Sequence, residues 1–156
     1  MLSTIERVLT LQNNEIFAEV STDGLAYLAA IAEEVEFQPG DPLFREGDIP
    51  DACYLILAGS VELARGNRVE LTVGQGDDIG VWALFDGEPR VFSARATENS
   101  HALKISQEDF YDLLADHTDI VQSFFRTLVR RIRRVLTDRA GVITALDEQG
   151  RTPHSK

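Results

Sequence analysis

The stretch at residues 79–96, IGVWALFDGEPRVFSARA, carries residue types that could bind an anion. It opens with Gly80 in an apolar run, crosses a short segment containing glycine and proline, and then presents Arg90. Glycine lets a backbone approach a ligand closely, and a guanidinium can hold a phosphate through two parallel hydrogen bonds. The spacing therefore predicts an anion-binding cassette. The residues alone also allow Arg90 to be a solvated side chain or a partner of Asp86 or Glu88.

The charge distribution requires any such anion site to be local. The 156-residue chain has a formal net charge of −11, although residues 120–139 hold six arginines and one aspartate, a net of +5. The other 136 residues therefore carry −16. An acidic body of this kind repels nucleic acid, so an anionic ligand needs a shielded cation such as Arg90. The C-terminal arginines either form a solvated face or pair with acidic segments of this chain or of a partner subunit.

Apolar periodicity predicts helices at both ends of the chain and strands between them. We expect helices within 2–34, a β-roll over 35–105 without intervening helices, and two helices over 107–138. The predicted fold class is α+β and mainly β: an antiparallel, jelly-roll-like double-stranded β-helix flanked by helices. Residues 1–140 should form a single domain, and 141–156 a flexible tail.

Several local signals set the expected boundaries. Ser21 is a predicted N-cap for a helix from Thr22 to Glu34, and Ser106 and Thr118 are predicted N-caps for the last two helices. The Gly66-Asn67 pair predicts a tight hairpin turn, since both residues tolerate positive φ.

This layout resembles the cyclic nucleotide-binding domain family over roughly residues 15–136. The run FQPGDPLFREGDIPDACYLILAGSVEL, residues 37–63, is similar to its roll signature, with proline-glycine before one strand, glycine-aspartate after the next and a glycine between two strands. The family includes catabolite-activator-like regulators and regulatory subunits of protein kinase A. The resemblance implies a β-roll that binds cyclic AMP or cyclic GMP and signals by movement of its C-terminal helices.

The family's phosphate-binding cassette typically reads Phe-Gly-Glu-Leu-Ala, a few variable residues, then Pro-Arg and two small residues. The resemblance implies that the Gly80 backbone lies against the ribose phosphate and that Arg90 grips the cyclic phosphate. Val81 stands where the family has a glutamate that accepts a hydrogen bond from the ribose 2′-hydroxyl. Such a bond is worth roughly 1.5–3 kcal/mol, so its loss should weaken binding by about one to two powers of ten. The ligand site implied by the resemblance comprises Gly80, Val81, Trp82, Ala83, Arg90, Val91 and Phe92.

Three of these positions are bulkier than the family pattern. Trp82 replaces a leucine and is either a core residue or a platform for a purine. Val91 and Phe92 replace the small residues beside the phosphate. Because we expect a strand from Arg90 to Ala96, alternation allows only one of these two side chains to crowd the pocket. A pocket filled by Phe92 or Trp82 would favour a ligand-free descendant of the family.

Two functions follow as expectations. The first is a cytoplasmic regulatory module that binds a cyclic nucleotide. The alternative is a ligand-free module for protein interaction or homodimerisation through the apolar stripe of the last helix. That stripe comprises Phe124, Leu128, Ile132 and Val135. A single cysteine, Cys53, and an N-terminus without a secretion signal fit a cytoplasmic protein, and we expect no contact with membranes.

Enzymatic activity, cofactors and metals are not expected. His101, His117 and His154 are scattered, and no cluster has metal-ligand spacing. No local signature marks a nucleophile, so Cys53 is expected to be an inert core thiol. Only about twenty residues follow Leu136, too few for a helix-turn-helix, so we do not expect this chain alone to bind DNA.

Overall fold

A computed structural model describes residues 1–138 of the chain. This part contains five helices and eight strands. In chain order they are α1 (Thr4–Gln12), α2 (Thr22–Ile31), β1 (Glu33–Phe37), β2 (Pro42–Phe44), β3 (Ala52–Ala58), β4 (Ser60–Arg65), β5 (Arg68–Gly74), β6 (Asp78–Ile79), α3 (Val81–Asp86), β7 (Ser93–Ala96), β8 (Ser100–Ser106), α4 (Gln107–Asp116) and α5 (Thr118–Asp138). The tail predicted at 141–156 lies outside the described residues.

The strands form two four-stranded sheets. One has the order β1-β8-β3-β6 and the other β2-β7-β4-β5, and every pairing is antiparallel. The β4–β5 hairpin turns at Gly66-Asn67, because Arg65 pairs directly with Arg68. The predicted fold class, a mainly antiparallel β-roll flanked by helices, is confirmed.

The core has two parts separated by the sheet that contains β3. Alternation along this strand sends Cys53 and Leu55 toward the helices, and Tyr54 and Ile56 into the roll. The helical cluster also takes buried residues from all five helices, and the roll cluster is completed by side chains from the opposite sheet. A residue in the cassette can therefore belong to either side of this sheet, which decides whether it can meet a ligand in the roll.

The predicted caps are confirmed at two of three positions. The Ser21 hydroxyl accepts a hydrogen bond from the Gly24 amide, and the Ser106 hydroxyl accepts one from the Asp109 amide. Thr118 is the first residue of α5 rather than its cap, and the single residue between the two helices, His117, is the C-cap of α4.

The end predicted for the second helix is wrong. α2 stops at Ile31, and Ala32 is extended, with ψ 139°. Glu33 and Glu34 instead begin β1, where they lie opposite Lys104 and Leu103 of β8. Pairing with the sheet therefore outweighs the helical tendency of the two glutamates.

Two further corrections concern the segment from Gly80 to Ala96. A six-residue helix, α3, lies within the β-roll, where no helix was expected. The last strand of this segment begins at Ser93, not at Arg90, because the Arg90 backbone pairs with the turn after β2 instead of joining the ladder.

The helices of residues 1–138 include none with the length and apolarity needed to cross a bilayer.

Candidate functional site

The turn that follows β2 fixes the backbone of Arg90. The Arg90 amide donates to the carbonyl of Asp48 at 2.8 Å, and the Arg90 carbonyl accepts from the amide of Gly47 at 2.8 Å. The turn is itself closed by the Asp48 carboxylate, which accepts from the Arg45 amide at 2.9 Å. These bonds hold Arg90 away from solvent although it follows an exposed loop.

The Arg90 guanidinium is buried without a counter-charge. The residue is 5% exposed, and its Nη2 donates to the carbonyl of Ala52 at 2.5 Å. Nε and Nη1 are buried with no hydrogen-bond partner. None of the ion pairs within residues 1–138 involves Arg90, so the solvated and paired interpretations of this residue are both wrong. A buried charge of this kind is costly unless an anion or an equivalent group compensates it.

Burial also lowers the pKa of Arg90, because water that would solvate the cation is excluded. The negative side chains of Asp51 and Asp48 oppose this effect at longer range. The site therefore has an unmet demand for negative charge that an anionic ligand would satisfy.

Gly80 lies directly against this guanidinium. Its φ is +83°, and a Cβ built on it would be 2.3 Å from Nη1 of Arg90. Only glycine combines this left-handed backbone with so close an approach. The structure thus brings together the two residues that the sequence singled out as an anion cradle.

Val81 and Ala83 belong to α3 and lie differently. Val81 is 1% exposed and packs in the helical cluster with Leu84, one helical turn further on. Ala83 is half-buried, and its carbonyl accepts a hydrogen bond from the amide of Gly87 at the end of the helix. In this structure Val81 is therefore part of the helical core and not of the roll cluster.

The three bulky residues also separate. Trp82 is half-buried against the helical cluster. Phe92 packs against the roll cluster, with the guanidinium carbon of Arg65 5.2 Å above its ring. Val91 is 61% exposed. Phe92 is thus the residue of these three that lies on the roll side, whereas Trp82 lies on the helical side.

Phe44 is a site residue that the sequence did not reveal. Its ring centroid lies 4.0 Å from Cζ of Arg90, which is a close cation–π contact. Phe44 lies in β2 and Arg90 in the loop before β7, and an aromatic residue in a short strand gave no sign of this contact.

The apolar and basic faces of α5 contact α3 and the segment before α2. The ring of Phe85 packs 5.9 Å from Phe124, and Cζ of Arg131 lies 5.6 Å from the Trp82 ring centroid. An apolar groove of about 230 Å³ runs between the two helices. Its lining residues are Trp82, Phe85, Val121, Phe124, Phe125 and Leu128.

Three of the C-terminal arginines form ion pairs with an acidic segment of the same chain. Arg130 lies 2.6 Å from Glu19, and Arg131 lies 3.8 Å from Glu15. Arg134 donates a hydrogen bond to Glu15 and holds the pKa of that carboxyl below its usual value. Pairing within the chain therefore accounts for half of the six arginines.

The Cys53 thiol is unsuited to nucleophilic chemistry. Burial raises the pKa of Cys53 to about 12, which keeps its thiol protonated and unreactive. Within the described residues, no group of three His, Cys, Asp or Glu side chains could hold a metal ion.

Comparison with known proteins places this geometry in a family. The cyclic nucleotide-binding domain model matches residues 34–117, more than half of the chain. A CRP-like cAMP-activated global transcriptional regulator of Mycobacterium tuberculosis is 31% identical over 133 residues, covering 82% of this chain. The chain spans 59% of the length of that relative.

Solved structures agree. The N-terminal domain of a transcriptional regulator from Streptomyces coelicolor A3(2) superposes with a TM-score of 0.74 at 29% identity, covering 85% of this chain and 94% of that domain. The catabolite activator protein of Thermus thermophilus gives a TM-score of 0.67 at 25% identity, covering 80% of this chain and 61% of that protein. The chain belongs to the cyclic nucleotide-binding domain family.

Proposed function

We propose that this chain is a non-catalytic regulatory domain whose β-roll binds a cyclic nucleotide by its phosphate. One observation carries the proposal: the buried Arg90 guanidinium has two unpartnered nitrogens and no ion pair in the described part of the chain. A cyclic phosphate offers a single negative charge and several acceptor oxygens, which suit an arginine donor. The printed description of the Mycobacterium tuberculosis relative as cAMP-activated supports cyclic AMP as the first ligand to test.

The proposed recognition depends on the phosphate more than on the sugar. Val81 lies in the helical cluster and offers no acceptor to a ribose hydroxyl. Phe92 packs against the roll cluster, so a ligand in the roll would lie near its ring. We therefore expect binding weaker by about one to two powers of ten than in a site that holds both the phosphate and the ribose hydroxyl. Cyclic GMP carries the same ribose phosphate and differs only in its purine, so it is the second ligand to test.

The same geometry supports a route for the signal. A phosphate held between Arg90 and Gly80 would pull on the start of α3. α3 contacts α5 through the Phe85–Phe124 and Trp82–Arg131 pairs, so a shift of α3 changes the surface against which α5 packs. We propose that this movement of α5 is the output, read by a fused or partner protein.

The decisive variant is Arg90→Met, which keeps much of the side-chain length and removes the charge. Cyclic AMP should bind about 10- to 100-fold more weakly, because hydrogen bonds to a charged group are lost. Calorimetry on the full chain measures this, with circular dichroism as the check on folding. Arg95→Met is the matched control, since Arg95 is an exposed arginine of the same segment and should leave the affinity unchanged.

Equal affinity in wild type and Arg90→Met would exclude Arg90 as the phosphate ligand. Equal losses in Arg90→Met and Arg95→Met would show a non-specific effect of positive charge.

The second candidate function is protein interaction through α5. Its core-facing residue Phe124 is buried, so the docking stripe expected from the sequence is wrong at that position. The exposed apolar residues of α5 are Phe125, Leu128, Val129, Ile132, Val135 and Leu136. An apolar face of this length is characteristic of a protein interface. A second copy of this chain or a partner helix would cover it.

Sedimentation equilibrium tests this face. We expect a mass above that of a monomer, and we expect Ile132→Glu to restore the monomer, because a carboxylate cannot be buried unpaired in an apolar interface. Ile5→Glu on α1 is the control, since Ile5 is also an exposed helical isoleucine and should not change the mass. A monomeric wild-type chain would count against self-association.

A further inference from the structure

The ring of Phe44 compensates part of the buried Arg90 charge. The guanidinium donates to one carbonyl, lies against the Gly80 backbone, and has the ring centroid of Phe44 4.0 Å from its Cζ. The π-electrons of an aromatic face attract a cation, most strongly where water is excluded. Phe44 therefore does part of what an anion would do.

Phe44 is placed where its ring can turn away. It is the last residue of β2, a strand of three residues, and the register of β2 on β7 is irregular between Pro42 and Phe44. The residue is half-buried, and it lines a surface depression of about 310 Å³ together with Arg45 and Ala94. Space for the displaced ring is thus available next to its present position.

We propose that Phe44 sets the affinity of the Arg90 site by covering the guanidinium until a phosphate displaces its ring. The inference rests on the proposed function. Nε and Nη1 have almost no accessible surface, so an anion reaches them only after a cover moves. Each binding event then sacrifices the cation–π contact, which lowers affinity and favours ligands with a full negative charge over neutral ones.

The first experiment tests the cover without any nucleotide. Methylglyoxal labels accessible guanidinium groups, and peptide mass spectrometry reads the rate at Arg90 relative to the exposed Arg45. In Phe44→Ala, Arg90 should be labelled about tenfold faster or more, because removing the ring exposes the guanidinium to the reagent. An unchanged rate at Arg90 would overturn the proposal.

The second experiment tests affinity with Phe44→Leu, which keeps apolar volume and removes the aromatic face. Calorimetry should show cyclic AMP binding roughly 2- to 30-fold tighter than to wild type. Phe37→Leu is the matched control. Its ring packs against the same cluster and meets Tyr54 at 6.1 Å, and Arg90 makes its cation–π contact with Phe44. Affinity that is unchanged or weaker in Phe44→Leu would overturn the proposal.

The two experiments separate the failure of this inference from that of the proposed function. Faster labelling of Arg90 with no cyclic nucleotide bound by either protein would support the cover and overturn the proposed ligand. Nucleotide binding that depends on Arg90 but not on Phe44 would support the proposed function and overturn the cover.

Discussion

Replacing Val81 with glutamate is expected to lower the free energy of unfolding by about 3–5 kcal/mol at neutral pH, the cost of an uncompensated buried charge. The resemblance to the family implies instead that the glutamate is tolerated and improves binding, because it would restore the acceptor for the ribose 2′-hydroxyl. The structure decides between the two: Val81 is 1% exposed and packs in the helical cluster with Leu84 and Leu55. A carboxylate there enters an apolar environment.

The pH dependence of this loss provides the test. Burial raises the pKa of the introduced carboxyl above its unfolded value of about 4.3. The folded variant therefore binds a proton more readily than the unfolded chain, and its deficit should shrink as the pH falls from 7 toward 4.3. Urea unfolding at several pH values measures this. Val91→Glu is the control, because Val91 is 61% exposed and its substitution should cost almost nothing.

A Val81→Glu variant of undiminished stability that bound cyclic AMP more tightly would contradict this prediction. It would mean that α3 can turn this position toward the roll, and that the sugar grip was lost by substitution alone.

The fold was largely predictable because its signals are local. Glycine turns and N-cap serines each depend on a few neighbouring residues, and they agree with one another. The errors occur where tertiary contacts override local preference. Glu33 and Glu34 look helical, yet β8 draws them into a strand. Arg90 precedes a β-prone run, yet its backbone pairs with the turn at Gly47 and Asp48.

Only the phosphate-binding part of the candidate site could be predicted from the sequence. The pairing of Gly80 with Arg90 follows from the cassette spacing, and the structure brings the two residues into contact. The orientation of Val81 did not follow, because it depends on the helical period of α3. Six residues are too few to show that period, although Val81 and Leu84 lie three apart between two glycines.

Contacts between distant segments could not be predicted from the sequence. Phe44 meets Arg90 only because β2 and the turn after it lie beside the cassette. The charge pattern allowed acidic partners for the arginines of α5, but the choice of Glu15 and Glu19 depends on how the chain folds back on itself. Such pairings are decided by topology, which residue types alone do not contain.

Replacing Gly80 with alanine is expected to damage both stability and ligand binding. The left-handed backbone at φ +83° costs an L-residue about 1–2 kcal/mol. The new methyl group would also lie 2.3 Å from Nη1 of Arg90. The end of a flexible side chain would ordinarily move away, but this guanidinium is held by the Ala52 carbonyl and the Phe44 ring. Crowding of a packed site adds about 1–3 kcal/mol.

Gly87→Ala separates backbone strain from the loss of the cradle. Gly87 ends the same helix with φ +67°, and a Cβ there would meet nothing within 4 Å. Both variants carry the strain, but only Gly80→Ala displaces Arg90. Urea unfolding should therefore show a loss of about 1–2 kcal/mol for Gly87→Ala and about 2–5 kcal/mol for Gly80→Ala. Calorimetry should show cyclic AMP affinity kept in the first variant and reduced at least about tenfold in the second. Equal affinity for cyclic AMP in the two variants would show that Gly80 is not part of the phosphate site, because displacement of Arg90 would then have no effect on binding.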